Sequence, residues 1–353
     1  MCFRQAMGGR MARRPTLADV AREAGVSPAT VDRVLNGRQV VREDTARRVY
    51  DAARRIGYHA AALFGQRVQS ELPRIRLGFV LHKERQSFYQ SFKAEIERAV
   101  AAAPGVRASA VIVFSASQAP SDFAGLIEGL AGRVDAVAAT AVAHPEITET
   151  VQRLKDRGVP VVAVLNDFAQ GVRQNYVGLN NVKVGRVAAH MIATSVHHHG
   201  KIAVFVGGHR WHGHELRETG FRSYLREFAP RLTVLDTLVN LETRQLTYEA
   251  TLDLLSRHPD LRGIYCAGGG MEGAIAALRE VRQPGEVALV VNELTPESRS
   301  ALAARYLAMV IATPLARLCA DLVGLMCEAV QLGMSPVSGQ HFLQPNLYLP
   351  ESL

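Results

Sequence analysis

Thr16-Leu-Ala-Asp-Val-Ala-Arg-Glu-Ala-Gly25, followed by Val26-Ser-Pro-Ala-Thr-Val-Asp-Arg-Val-Leu-Asn-Gly37, is the stretch on which the reading of this chain turns. Thr16 is a capping residue with an acid, Asp19, one turn on, and Leu17, Val20, Ala21 and Ala24 recur at helical spacing. This predicts a short amphipathic helix stopped by Gly25. Ser27 then caps a second helix with Pro28 at its first position and Val31, Val34 and Leu35 on its buried face. Two short helices about a glycine turn predict a helix-turn-helix. A third helix, from about Arg42 to Ile56, turns Ala46, Val49, Ala52 or Ala53 and Ile56 inward and leaves Arg47, Arg48, Arg54 and Arg55 at or near the surface. Three helices can close a small all-α core.

On the second helix Pro28, Ala29, Thr30 and Arg33 point away from that core. A guanidinium donates two hydrogen bonds to guanine O6 and N7, which makes Arg33 the candidate base reader, whereas Ser27, Thr30 and Asn36 are short donors suited to phosphate oxygens. The charge distribution agrees: 13 of the 41 Lys and Arg, but only 7 of the 33 Asp and Glu, fall in the first 72 residues. A small basic module is thus attached to a larger domain of ordinary charge. On the helix pattern alone, the alternative is a structural bundle whose arginines are merely solvated.

Outward from this module, 353 residues exceed one ordinary core. From Arg76 the chain alternates strand-like runs (76–81, 106–114, 134–139, 159–165, 201–206, 232–239, 263–267 and 287–292) with amphipathic helices (92–103, 147–157, 182–195, 216–228, 248–257 and 315–332). The alternation predicts parallel α/β structure in two doubly wound lobes, the first ending near 168–173, with ligands bound beyond the carboxyl ends of the strands. Four cysteines without metal-ligand spacing and no apolar run long enough to span a bilayer point to a cytoplasmic protein without a membrane partner. Met11 begins a plausible chain, so Met1 to Arg10 reads as an extended reading frame or a disordered arm. His197-His-His199 and His209-Arg-Trp-His-Gly-His214 lack partner ligands for a metal, and neither a Gly-Lys-Ser/Thr nor a Gly-x-Ser-x-Gly motif occurs. No cofactor, metal or enzymatic activity is expected.

The string from Thr16 to Gly37, continued by Val41 and by Arg54-Arg-Ile-Gly-Tyr58, resembles the DNA-binding domain of the LacI/GalR transcription regulators. Tyr176-Val-Gly-Leu-Asn-Asn181 and Leu216-Arg-Glu-Thr-Gly-Phe-Arg222, set in the α/β alternation, are similar to the periplasmic-binding-protein-like effector domain of that family. The resemblance implies a helix-turn-helix domain over 14–58, a hinge over 59–73 and a ligand-sensing domain over 74–353. Its lobes would comprise about 74–168 with 297–325, and about 172–294 with the C-terminal segment. It implies a repressor that binds a pseudo-palindromic double-stranded operator as a homodimer through Thr16, Ser27, Pro28, Ala29, Thr30, Arg33 and Asn36. A small-molecule effector, a sugar or polyol, would bind between the lobes at His82, Phe88, Tyr89, Asp167, Arg217, Gly269 and Glu293, with Arg217 donating from one lobe and Asp167 accepting from the other.

Three departures qualify the match. Asp32 stands where the family usually has serine, and the linker His59-Ala-Ala-Ala-Leu-Phe-Gly-Gln-Arg-Val-Gln69 lacks the usual hinge pattern, leaving Leu63 or Val68 as the minor-groove wedge. Gly268 to Gly270 replace an asparagine-aspartate pair, making room for a larger ligand or for backbone amides as donors. The rival reading is a sugar-binding or sugar-metabolising α/β protein with an incidental basic N-terminus.

Overall fold

The computed structural model describes residues 14–36, 41–58 and 72–353, with the side chains of Leu35, Asn36 and Glu43 outside the description. Among the described residues the N-terminal unit consists of α1 (Leu17–Ala24), α2 (Pro28–Asn36) and α3 (Glu43–Arg55). Its core is Val20, Ala21, Ala24, Val31, Val49, Ala52 and Ala53. The N–H and hydroxyl of Thr16 both donate to the Asp19 carboxylate, at 2.9 and 2.7 Å, which starts α1. Gly25 ends it at φ 64°, a conformation that costs other residues strain. Arg48, although exposed, donates to the carbonyls of Ala24 and Gly25 and so fastens α3 to the turn. The expected hinge, with Leu63 and Val68, and the buried position expected for Leu35 lie outside the described residues.

The second unit holds two sheets. The first has the order β12-β5-β4-β3-β1-β2, from β1 (Arg74–His82), β2 (Arg107–Ser115), β3 (Ala136–Ala139), β4 (Val161–Val164), β5 (Asn175–Leu179) and β12 (Gly339–Leu343). The second has the order β13-β11-β10-β9-β6-β7, with β8 also on β6. Its strands are β6 (Gly200–Val206), β7 (Leu232–Val234), β8 (Leu238–Val239), β9 (Leu261–Cys266), β10 (Ala288–Asn292), β11 (Leu307–Ala312) and β13 (Asn346–Tyr348). Strands such as Ala136–Ala139 and Val161–Val164 are buried throughout, as both faces of a parallel sheet require. The covering helices are α4 (Ser87–Ala101), α5 (Pro120–Leu130), α6 (Pro145–Asp156), α7 (Asn181–Ser195), α8 (His212–Phe228), α9 (Arg244–Arg257), α10 (Met271–Val281), α11 (Pro296–Ala303) and α12 (Leu315–Leu332).

Strand pairing corrects the expected lobe boundaries. β5, placed by the sequence reading in the second lobe, pairs in parallel with β4 of the first, and β11, expected within 297–325 of the first lobe, pairs with β10 of the second. The C-terminal segment is divided between them: β12 lies on β5 and β13 runs antiparallel to β11. The chain therefore crosses between lobes at 179–181, 312–315 and 343–346. The run 232–239 is likewise two short strands, both laid on β6.

Candidate functional site

On α2 the sequence phase and the packing agree. Ser27, Pro28, Ala29 and Arg33 are exposed and Thr30 is half-buried, while Val31 is fully buried. Ser27 Oγ accepts the Thr30 N–H at 3.1 Å and bonds its hydroxyl at 2.8 Å, so these two hydroxyls are engaged in the cap. Arg33 is exposed and makes no hydrogen bond or ion pair among the described residues. Thr16 is held by Asp19. The side chain of Asn36 lies outside the described residues.

In the larger unit the carboxyl ends of the strands of both lobes surround a cavity of about 230 Å³. Phe88 and Tyr89 at the start of α4, Asn166 after β4, and Trp211, Arg217, Glu242, Gly269, Glu272, Asn292 and Glu293 from the second lobe line it. The placement of Arg217 follows from the crossing of α7 and α8. A Cβ on Gly185 would overlap the Arg217 carbonyl and one on Gly220 the Val182 carbonyl, so the two glycines let the helix backbones touch. From α8, Arg217 Nε donates to Asn181 Oδ1 and Nη1 to the Ala267 carbonyl, both at 2.7 Å, and Nη2 has no partner among the described residues. The neighbouring acids do not pair with it: Glu218 holds Arg222 and Glu215 faces His212.

Of the expected cleft residues, Phe88, Tyr89, Arg217, Gly269 and Glu293 line the cavity, whereas Asp167 and His82 do not. Asp167 forms a buried two-point ion pair with Arg173, at 2.5 and 2.8 Å, because a carboxylate out of water takes the nearest counter-charge. His82 is packed among Tyr89, Phe123 and Trp211, neither ring nitrogen has a hydrogen-bond partner among the described residues, and burial lowers its pKa to about 4. Gly268 to Gly270 line the cavity, but the space that side chains would take there is filled by the chain itself: a Cβ on Gly268 would meet His214, one on Gly269 would meet Glu242 and one on Gly270 would meet Thr247 and Asn240, and the Gly269 N–H already donates to Glu242 at 3.2 Å. Glu293, at φ 71°, accepts from the N–H and hydroxyl of Thr313 at 2.9 and 2.6 Å, and burial raises its carboxyl pKa.

The side chains that join the lobes across the cavity include one, Glu242, that sequence reasoning did not select. Lys83, after β1, donates to the Glu242 carboxylate at 3.2 Å and to the carbonyls of Leu241 and Glu242. Burial alone would raise the Glu242 carboxyl, but His214, Lys83 and the Gly269 N–H hold it below the usual range. His214 Nδ1 accepts the Gly207 N–H at 3.1 Å, and burial lowers this imidazole to about 4. Trp211, from the second lobe, seats its ring in the core of the first and donates to Gln118 Oε1 at 3.0 Å, while the Gly213 N–H donates to Asn166 Oδ1 at 2.8 Å. Glu242 carried no signal in the sequence, since it lies in a turn behind a two-residue strand.

A helix-turn-helix in the same chain as a two-lobed ligand-binding fold defines a one-component DNA-binding regulator. Residues 16–60 match the bacterial regulatory proteins of the lacI family and residues 77–332 the periplasmic binding protein domain, and the chain belongs to the LacI family of transcriptional regulators. It is 28% identical over 288 residues to the HTH-type transcriptional regulator GntR of Pseudomonas aeruginosa, covering 78% of this chain and 79% of that one. It is 25% identical to GalS of Salmonella typhimurium over 75% of each chain. A solute-binding protein of an ABC transporter from Agrobacterium vitis, solved with α-D-tagatopyranose, shares the fold at TM-score 0.71 and 19% identity, over 78% of this chain and 95% of that one. Among the described residues no helix is long and apolar enough to cross a membrane.

Proposed function

We propose that this regulator binds a pseudo-palindromic operator as a homodimer, reading bases with Arg33, and that a sugar or polyol in the inter-lobe cavity alters its operator affinity. The observation that carries the ligand reading is the partly unspent guanidinium of Arg217, held by Asn181 and the Ala267 carbonyl in a cavity that Phe88 and Tyr89 also line. A guanidinium fork suits neighbouring hydroxyls and an aromatic face suits the C–H face of a sugar ring. The Agrobacterium vitis protein that shares this fold holds a sugar, which supports the same class. Ligand acts by its differential affinity for two arrangements of the lobes, changing the spacing of two DNA-binding modules.

Arg33→Ala is expected to weaken operator binding by about 1–3 kcal/mol and to relax preference at one base pair per half-site. Equal loss on every sequence in a binding-site selection experiment would reduce Arg33 to a phosphate anchor. Sedimentation of the protein–operator complex tests the dimer.

A further inference from the structure

The inter-lobe cavity has an imbalance of hydrogen-bonding groups. Several of its donors are already engaged by the protein: Trp211 Nε1 on Gln118, the Gly269 N–H on Glu242, and two positions of Arg217 on Asn181 and Ala267. Several of its acceptors are not. Asn292 is only 4% exposed and its Oδ1 has no partner among the described residues. Its amide cannot turn without loss, because Nδ2 donates to Tyr265 Oη at 3.2 Å and to the Cys266 carbonyl at 2.8 Å. A buried unpaired acceptor of fixed orientation calls for a donor from the ligand.

Charge has the same sign. Arg85 and Arg217 line the cavity with four carboxylates; Glu242 is neutralised by Lys83, but Glu272 and Glu293 make no ion pair among the described residues, and Glu297 adds a fourth acid. Glu293 has two donors in Thr313 and the field of Arg217. Glu272, in the first turn of α10, has no side-chain hydrogen-bond partner among the described residues, and burial raises its carboxyl pKa, with Glu297 adding to the rise and its own backbone N–H, Arg244 and Lys83 opposing it. Carboxylates outnumber guanidinium groups around the cavity, and Glu272 is one to which a cation would bring a counter-charge.

We propose that the effector is a polyhydroxylated amine, an amino sugar or amino polyol, whose ammonium is received by Glu272 while its hydroxyls donate to Asn292 Oδ1 and Glu293. This rests on the reading of the cavity as the effector site. Phe88 and Tyr89 supply the apolar wall.

The test is calorimetric titration and thermal shift of the full-length protein with glucosamine, galactosamine, mannosamine and 1-amino-1-deoxysorbitol. Each is compared with its neutral parent, and the hexosamines also with their N-acetyl derivatives and 6-phosphates. At least one amine is expected to bind about tenfold or more tightly than its uncharged counterparts, the ratio of one charge-assisted hydrogen bond. Glu272→Gln brings the two to near parity and leaves the melting temperature of the unliganded protein unchanged. Neutral or phosphorylated sugars binding better than the amines, or an amine preference that survives Glu272→Gln, overturns the proposal while the effector-site reading stands. If no polyhydroxylated compound of either kind binds, that reading falls and the proposal with it.

Discussion

Asp167 shows how a residue can be chosen by the right rule and still serve another purpose. A carboxylate in the loop after a parallel strand belongs to the set from which cleft ligands are drawn, but Arg173, six residues on, captures it. Both side chains are almost fully buried, and Arg173 Nη1 also donates to Ser338 Oγ and the Gly339 carbonyl, tying this loop to the start of β12. Asp167→Ala would leave a guanidinium buried without its counter-charge, a loss of about 3–5 kcal/mol. Denaturant unfolding should show it as a lower midpoint, and a stability equal to that of the unaltered protein would contradict the structural role. Arg217 illustrates the converse: the family resemblance implied its place in the cleft, and the acids beside it pair elsewhere.

At the level of elements, the tight crossing of α7 and α8 sets where Arg217 can reach. Gly220→Ala puts a methyl group on the Val182 carbonyl, and neither helix can move without shifting its own packing. The expected loss is about 1–3 kcal/mol, the usual range for overpacking. A displaced α8 also carries Arg217 off Asn181, so ligand affinity should fall with stability. Unfolding and titration of the same variant check both, and a stable Gly220→Ala protein with unaltered affinity would show that the contact is slack. Helix and strand periodicity revealed most of these elements. It did not reveal their partners, because β5, β11 and β12 choose their sheets through contacts remote in sequence.

In the whole larger unit, the lobes meet through Trp211, the Lys83–Glu242 pair and the bond from Gly213 to Asn166. Two imidazoles at this junction, His82 and His214, are buried and neutral, each lowered by burial to about 4 from the ordinary imidazole value of 6.5. The unfolded chain binds these protons more readily, so stability rises with pH across this interval. The full contribution is present above about pH 6.5 and is lost progressively as the pH falls toward 4. Trp211 is the single tryptophan of the chain, so its emission reports the junction directly. Melting followed at Trp211 between pH 7.5 and 4 should show a falling midpoint, less steeply in His82→Phe and His214→Gln. A midpoint constant through that window would exclude the two histidines as the cause.

Local pattern was enough wherever neighbours in the chain decide the outcome. The caps at Thr16 and Ser27, the left-handed Gly25, the exposed phase of Arg33 and the strand–helix alternation each depend on residues within a turn or two, where spacing alone dictates geometry. Tertiary structure decided which lobe owns β5, β11 and β12, that Asp167 serves Arg173, and that Glu242 and His214 fill the space beside the glycines at 268–270. Each of these is a contact between side chains or strands far apart in sequence. Burial makes such a contact obligatory, since a charge or polar group removed from water must find a partner, but local pattern carries no record of which partner lies within reach.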